Sequence, residues 1–195
     1  MKADADNDAA LVARALSGED AAFALLMSRH KNWVFRFVAR YVGREEDALD
    51  LVQESFFAAW LALSSYDPQR PFGAWLRRIA LNKCRDRSRR EKVRRMLSVF
   101  VGGGEDEGLP EVVDGAAGPE RQAESRQELD RLELAMQRLP RSLKEPLLLT
   151  TLEGLSHREA GELLGLNAKA VEMRVYRARS QLEELLGPQT QPSAS

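Results

Sequence analysis

The chain has 195 residues, 44% hydrophobic, 7% aromatic and 30% charged, with 29 Lys and Arg against 30 Asp and Glu. This is enough apolar material for one large or two small cores and too balanced a charge for a polycation, so any nucleic-acid binding must concentrate basic charge locally. The single cysteine, Cys84, excludes an internal disulfide, the acidic start (residues 1–10) lacks a signal-peptide apolar stretch, and no apolar run nears the ~20 residues of a bilayer span; a soluble cytoplasmic protein is expected.

In chain order, residues 10–16 predict a short leading helix. Phe23, Leu26, Met27, His30, Val34, Phe37, Val38 and Tyr41 then follow i, i+3, i+4 steps up to the break at Gly43. Ala48, Leu51, Val52, Ser55, Phe56, Ala59, Trp60 and Leu63 form a second apolar stripe. After Asp67-Pro68 and Pro71, a third runs through Phe72, Trp75, Leu76, Ile79, Ala80 and Cys84. These predict a helical bundle over residues 8–95. Residues 96–119 are glycine-rich and acidic in large part and read as a flexible linker. Helical character returns over residues 120–186, and residues 187–195 read as a disordered tail. The fold class is therefore all-α, two small helical domains joined by a flexible linker.

Within the second domain, Ser156-x-x-Glu159 has the pattern of a capping box, Gly165 ends the short helix after it, and Asn167 caps the next. Val171, Val175, Ala178, Leu182 and Leu185 form that helix's inward stripe. Lys169, Met173, Tyr176, Arg177 and Ser180 share another face, flanked by Arg174 and Arg179. A short helix, a tight turn and a longer helix with a basic side make a helix-turn-helix, whose second helix enters the major groove. An ordinary helical hairpin with a solvated arginine face is the alternative.

Two surfaces of the first domain also stand out. Opposite the core stripe of the 44–63 helix, Asp50, Gln53, Glu54, Phe57 and Leu61 recur at helical spacing, as a docking face or a second, weak packing face. Between Arg77 and Arg95 ten basic residues face only Asp86 and Glu91, a cluster able to attract phosphates or simply a solvated helix. His30 and His157 stand in separate domains, no pair of residues has metal-ligand spacing, and no phosphate-binding loop or nucleophile motif is present, so no cofactor, metal or enzymatic activity is expected.

Residues 139–186, with Leu-Glu-Gly-Leu-Ser at 152–156, Glu159-Ala160, Leu163-Leu164-Gly165 and Arg174-x-x-Arg177-Ala178-Arg179, resemble region four of sigma factors. Asp50-Leu51-Val52-Gln53-Glu54-Ser55-Phe56 and the stretch Phe72-Gly73-Ala74-Trp75-Leu76-Arg77-Arg78-Ile79-Ala80-Leu81-Asn82 resemble region two. With no room for a further domain between them, the chain resembles the extracytoplasmic-function group. The resemblance implies that the Asp50, Gln53, Glu54, Phe57 and Leu61 face binds core RNA polymerase. It also implies that Asn82, sharing a face with Arg78, Arg85 and Arg89, reads the promoter's downstream element while Tyr66 helps hold a flipped-out base. Lys169, Met173, Arg174, Tyr176 and Arg177 would meet the upstream element. Trp75 is a candidate melting wedge, but it falls on the Phe72–Ile79 stripe and reads as core. Two departures leave the upstream preference open: Ala168-Lys169-Ala170 replaces a common glycine-threonine entry, and Glu172 and Met173 stand where many relatives have basic or small polar residues. Glu172 either accepts a hydrogen bond from cytosine or repels phosphate. The resemblance further implies an anti-sigma partner, while a free-standing helix-turn-helix regulator with an N-terminal interaction bundle is the other reading.

Overall fold

The structure, a computed structural model, describes residues 2–101 and 119–187. It divides into two compact units, residues 1–107 and 108–195. Among the described residues every regular element is helical: α1 Lys2–Leu16, α2 Asp20–Val42, α3 Glu45–Leu61, α4 Phe72–Val101, α5 Pro119–Arg138, α6 Arg141–Thr151, α7 His157–Leu164 and α8 Ala168–Leu186, with a 3-10 turn at Leu63–Ser65.

In the first unit α2 and α4 pack with α3, and α1 lies against α2 and α4. The three expected stripes supply the core: Phe23, Leu26, Val34, Phe37, Val38 and Tyr41 from α2, Ala48, Leu51, Phe56 and Ala59 from α3, and Phe72, Leu76, Ala80 and Cys84 from α4. Each large apolar side chain so buried contributes roughly 1.5–3 kcal/mol. Leu81, which lies off the expected α4 stripe, is buried with them. Met27 and Trp60 depart from expectation and are exposed, although one face of Trp60 meets Phe23 edge-on at 4.9 Å.

The leading helix is longer than its apolar pattern, starting at Lys2 rather than near residue 10. A polar contact anchors it: the buried Asp8 carboxylate accepts hydrogen bonds from Arg29 and from His30 Nε2, the latter at 2.9 Å. At its other end the bundle also overruns, because α4 continues past residue 95 to Val101. The rest of the expected linker, residues 102–118, and the expected tail from 188 onward lie outside the described residues.

The second unit packs α6, α7 and α5 onto α8. Its core is aliphatic, with Ala135, Met136, Leu139, Leu147, Leu148, Leu149, Ala160, Val171, Val175 and Ala178. Two charged side chains go in with it: Lys144 donates to Gln137 Oε1 at 3.0 Å, and Glu145 lies 3.5 Å from Arg141. Leu182 is half-buried, and Leu185, expected in the inward stripe, is exposed because it sits at the open end of α8.

Candidate nucleic-acid interface

The turn between α7 and α8 rests on backbone devices. Ser156 Oγ accepts from the Glu159 N–H at 3.2 Å while the Ser156 N–H donates to Glu159 Oε2 at 2.9 Å, a reciprocal capping box. The helix stops at Gly165, whose φ of 72° costs a glycine little. Asn167 Oδ1 then accepts from the Ala170 N–H at 2.7 Å and starts α8. Gly161 is the residue that pattern reading missed. A Cβ there would lie 2.5 Å from the Leu166 carbonyl oxygen, so the closeness of α7 to the turn depends on its having none.

This frame presents the α8 face. Lys169, Met173, Tyr176 and Arg177 are exposed, Tyr176 by 70%, while Arg174 is half-buried. Among the described residues Arg174, Arg177 and Arg179 have no acidic partner, so their charge is available to phosphates. Lys169 differs: its Nζ donates to both Glu172 oxygens, at 2.9 and 3.0 Å. Across a shallow concavity from Glu172, Met173, Tyr176 and Arg179 lie Ser156 and His157.

In the first unit, α4 carries the basic run as one continuous helix, but its charge divides by face. Lys83 lies 3.5 Å from Glu54 on α3, Arg87 pairs with Asp47 of α3 and with Glu91, and Arg77 stacks over the Trp33 ring at 4.8 Å. These tie α4 to α3 and α2. Arg78, Asn82 and Arg89 follow one another along the exposed side, with Arg89 only loosely matched to Asp86 at 3.5 Å, whereas Arg85 on the same stripe is half-buried.

Tyr66 does not sit as a stacking platform should. It is buried, its hydroxyl donates to the Arg70 carbonyl at 2.6 Å, and its ring packs against Phe72 at 5.6 Å and Trp75 at 5.5 Å. Burial, then Asp8 and Asp67, push its phenol pKa up. The sequence signal for its burial was the Phe72 and Trp75 pair just beyond Pro71. Trp75, expected in the core, is half-buried. A base can stack on Tyr66 only after the ring leaves this cluster.

On α3 the expected second stripe is present. Asp50 and Gln53 are exposed, Phe57 and Leu61 are 64% and 66% exposed, and Glu54 is half-buried by its pairing with Lys83. Leu49, 50% exposed, extends the stripe by one turn. Its i+4 relation to Gln53, Phe57 and Leu61 was the signal for it. Cys84 is buried, and among the described residues no three His, Cys, Asp or Glu side chains are grouped to hold a metal. No described helix is long and apolar enough to cross a membrane.

Comparison with known proteins bears on the same two units. The family model "Sigma-70 region 2" matches residues 26–94, and "Sigma-70, region 4" matches residues 129–182. The chain is 42% identical to the RNA polymerase sigma factor CnrH of Cupriavidus metallidurans over 93% of its own length and 95% of the relative's. It is 30% identical to the ECF RNA polymerase sigma factor SigW of Bacillus subtilis, over 87% of this chain and 91% of that one. The solved structure of CnrH in complex with the cytosolic domain of CnrY superposes with a TM-score of 0.66 at 36% identity, covering 92% of this chain and 97% of that one.

Proposed function

The chain belongs to the extracytoplasmic-function group of the sigma-70 family, proteins that bind core RNA polymerase and direct promoter recognition and transcription initiation, and we propose how its two units divide that work. Region two, within residues 8–95, docks on core polymerase through Asp50, Gln53, Glu54, Phe57 and Leu61. It meets the downstream promoter element through Arg78, Asn82, Arg85 and Arg89, with Tyr66 taking a flipped base once the loop opens. Region four, within residues 120–186, lays α8 in the major groove of the upstream element, using Lys169, Met173, Arg174, Tyr176 and Arg177. The protein works by differential binding in the cytoplasm, stabilising unpaired promoter DNA, and polymerase performs the only catalysis.

The α3 stripe carries this reading. Phe57 and Leu61 expose most of their surface on the side of α3 away from the core, beside Asp50 and Glu54. Large apolar groups rimmed by carboxylates mark a surface that another protein covers. A regulator with an N-terminal interaction bundle could also use such a face, but both family models favour the sigma reading. By the same chemistry an anti-sigma protein competes for this stripe, a reading supported by the complex that CnrH forms with CnrY.

The test is a direct binding assay with core polymerase. Because neither side chain belongs to the buried core, the double variant Glu54→Ala, Phe57→Ala is expected to keep its helicity while losing the Glu54–Lys83 pair. It should lose about tenfold or more in affinity, the scale of an interface anchor. Unchanged affinity removes the assignment.

A further inference from the structure

Glu172 is out of place on a helix face that meets phosphates. Two features of its setting turn the carboxylate from an obstacle into a reader. First, its charge is compensated: Lys169, one turn earlier, donates to both oxygens at 2.9 and 3.0 Å, so this end of α8 is locally neutral. Second, its acceptor sites are not used up. The pair is solvent-exposed, with side-chain exposures of 72% for Lys169 and 50% for Glu172, and exposed pairs of this kind hold weakly. A carboxylate offers about four lone-pair sites, so those turned away from Lys169 stay free. Glu172 lines a concavity with Ser156 and His157, one turn into the helix that a helix-turn-helix inserts in the major groove.

An ionised carboxylate only accepts. In the major groove guanine shows two acceptors, thymine an acceptor and a methyl group, adenine a donor beside an acceptor, and cytosine a donor alone. Glu172 is therefore repelled by guanine and thymine, partly opposed by adenine N7, and matched by the cytosine amino group. We infer that Glu172 is a specificity-determining residue that selects cytosine at one position of the upstream promoter element, with Lys169 as its charge-compensating neighbour. The inference rests on the placing of α8 in the upstream element.

The experiment uses the full chain with core polymerase. Start sites are mapped on genomic fragments, the upstream element of the strongest promoter is randomised, and the transcripts are sequenced. The wild-type chain should prefer cytosine at one column by about tenfold over guanine and thymine. Glu172→Gln should move that single column to adenine, because an amide donates to N7 while accepting from N6. Lys169→Ala should lower yield on all sequences and leave the column unchanged. If Glu172→Gln keeps the wild-type preference, or alters all columns alike, Glu172 is a charge and not a reader, and the inference fails while the α8 reading stands. If the wild-type chain initiates but shows no preference anywhere in the upstream element, the α8 reading falls and takes the inference with it.

Discussion

All seven phenylalanines and all three tryptophans of the chain lie within residues 2–101, whereas the one aromatic residue of the second unit, Tyr176, is 70% exposed. The first unit is specified by volume: Phe37, Phe56 and Phe72 fill its interior, and Phe72 touches His30, Tyr66 and Trp75. The second is specified by backbone, through a capping box, a left-handed stop at Gly165, an asparagine cap and a glycine under a carbonyl. Two small helical bundles thus hold their working surfaces by different physics. The first is most exposed to lost aromatic volume, and in the second a methyl group at Gly161 disturbs the turn that presents α8.

The largest expected effect tests the volume side. Phe72→Ala removes a fully buried ring from the centre of the aromatic cluster and should cost about 3–5 kcal/mol. All three tryptophans report on the first unit, so the urea midpoint followed by tryptophan fluorescence should fall steeply. Hydrogen exchange of α7 and α8 amides should stay as it was. Equal loss of protection in α7 and α8 would mean the units unfold as one, and the contrast between them would collapse.

A smaller effect tests the backbone side. Gly161→Ala places a methyl 2.5 Å from the Leu166 carbonyl oxygen, and backbone must move to admit it. Overpacking of this kind costs roughly 1–3 kcal/mol, against about 1 kcal/mol returned by better helix propensity. A net loss of about 1–2 kcal/mol is expected, read as faster exchange in α7 and α8 with an unchanged tryptophan transition. Unaltered exchange would show that the turn has slack and that Gly161 is not what sets the distance.

The same contrast explains what could be read in advance. Helical periodicity located α2, α3 and α4, and local signals of three or four residues located the caps of α7 and α8, because both depend on neighbours in sequence. Asp8 with His30, 22 residues apart, and Lys83 with Glu54 depend on which helices meet, which no local pattern states. Tyr66 shows the cost of that blindness: expected to offer its ring to a flipped base, it is buried, because Phe72 and Trp75 of the next helix pack against it. On the α4 face the exposed Arg78, Asn82 and Arg89 were legible, but the withdrawal of Lys83 and Arg87 toward α3 carboxylates was not, since charge counting ignores direction.

The smallest effect concerns a half-buried polar group of the volume-packed unit. His30 sits between Asp8 and Trp33: its Nε2 faces Asp8 Oδ2 at 2.9 Å, and its Nδ1 accepts from the Trp33 indole N–H at 2.8 Å. That arrangement suits the neutral ring, because a proton on Nδ1 would point at another donor. Burial lowers the pKa of His30 below its ordinary 6.5, the Asp8 hydrogen bond and charge oppose the shift, and Arg29 and Arg77 add to it. The opposing causes partly cancel, which keeps the effect small. Unfolded, the imidazole takes up its proton near pH 6.5; folded, it does so only at lower pH. The unfolded chain therefore binds more protons in that window, so the first unit keeps its full stability above about pH 6.5 and loses part of it as pH falls toward the folded value. Urea midpoints by tryptophan fluorescence, taken from neutral pH downward, should decline in the wild-type chain. In His30→Gln, whose amide still donates to Asp8 without titrating, they should decline less. Parallel curves for the two proteins would sink this account.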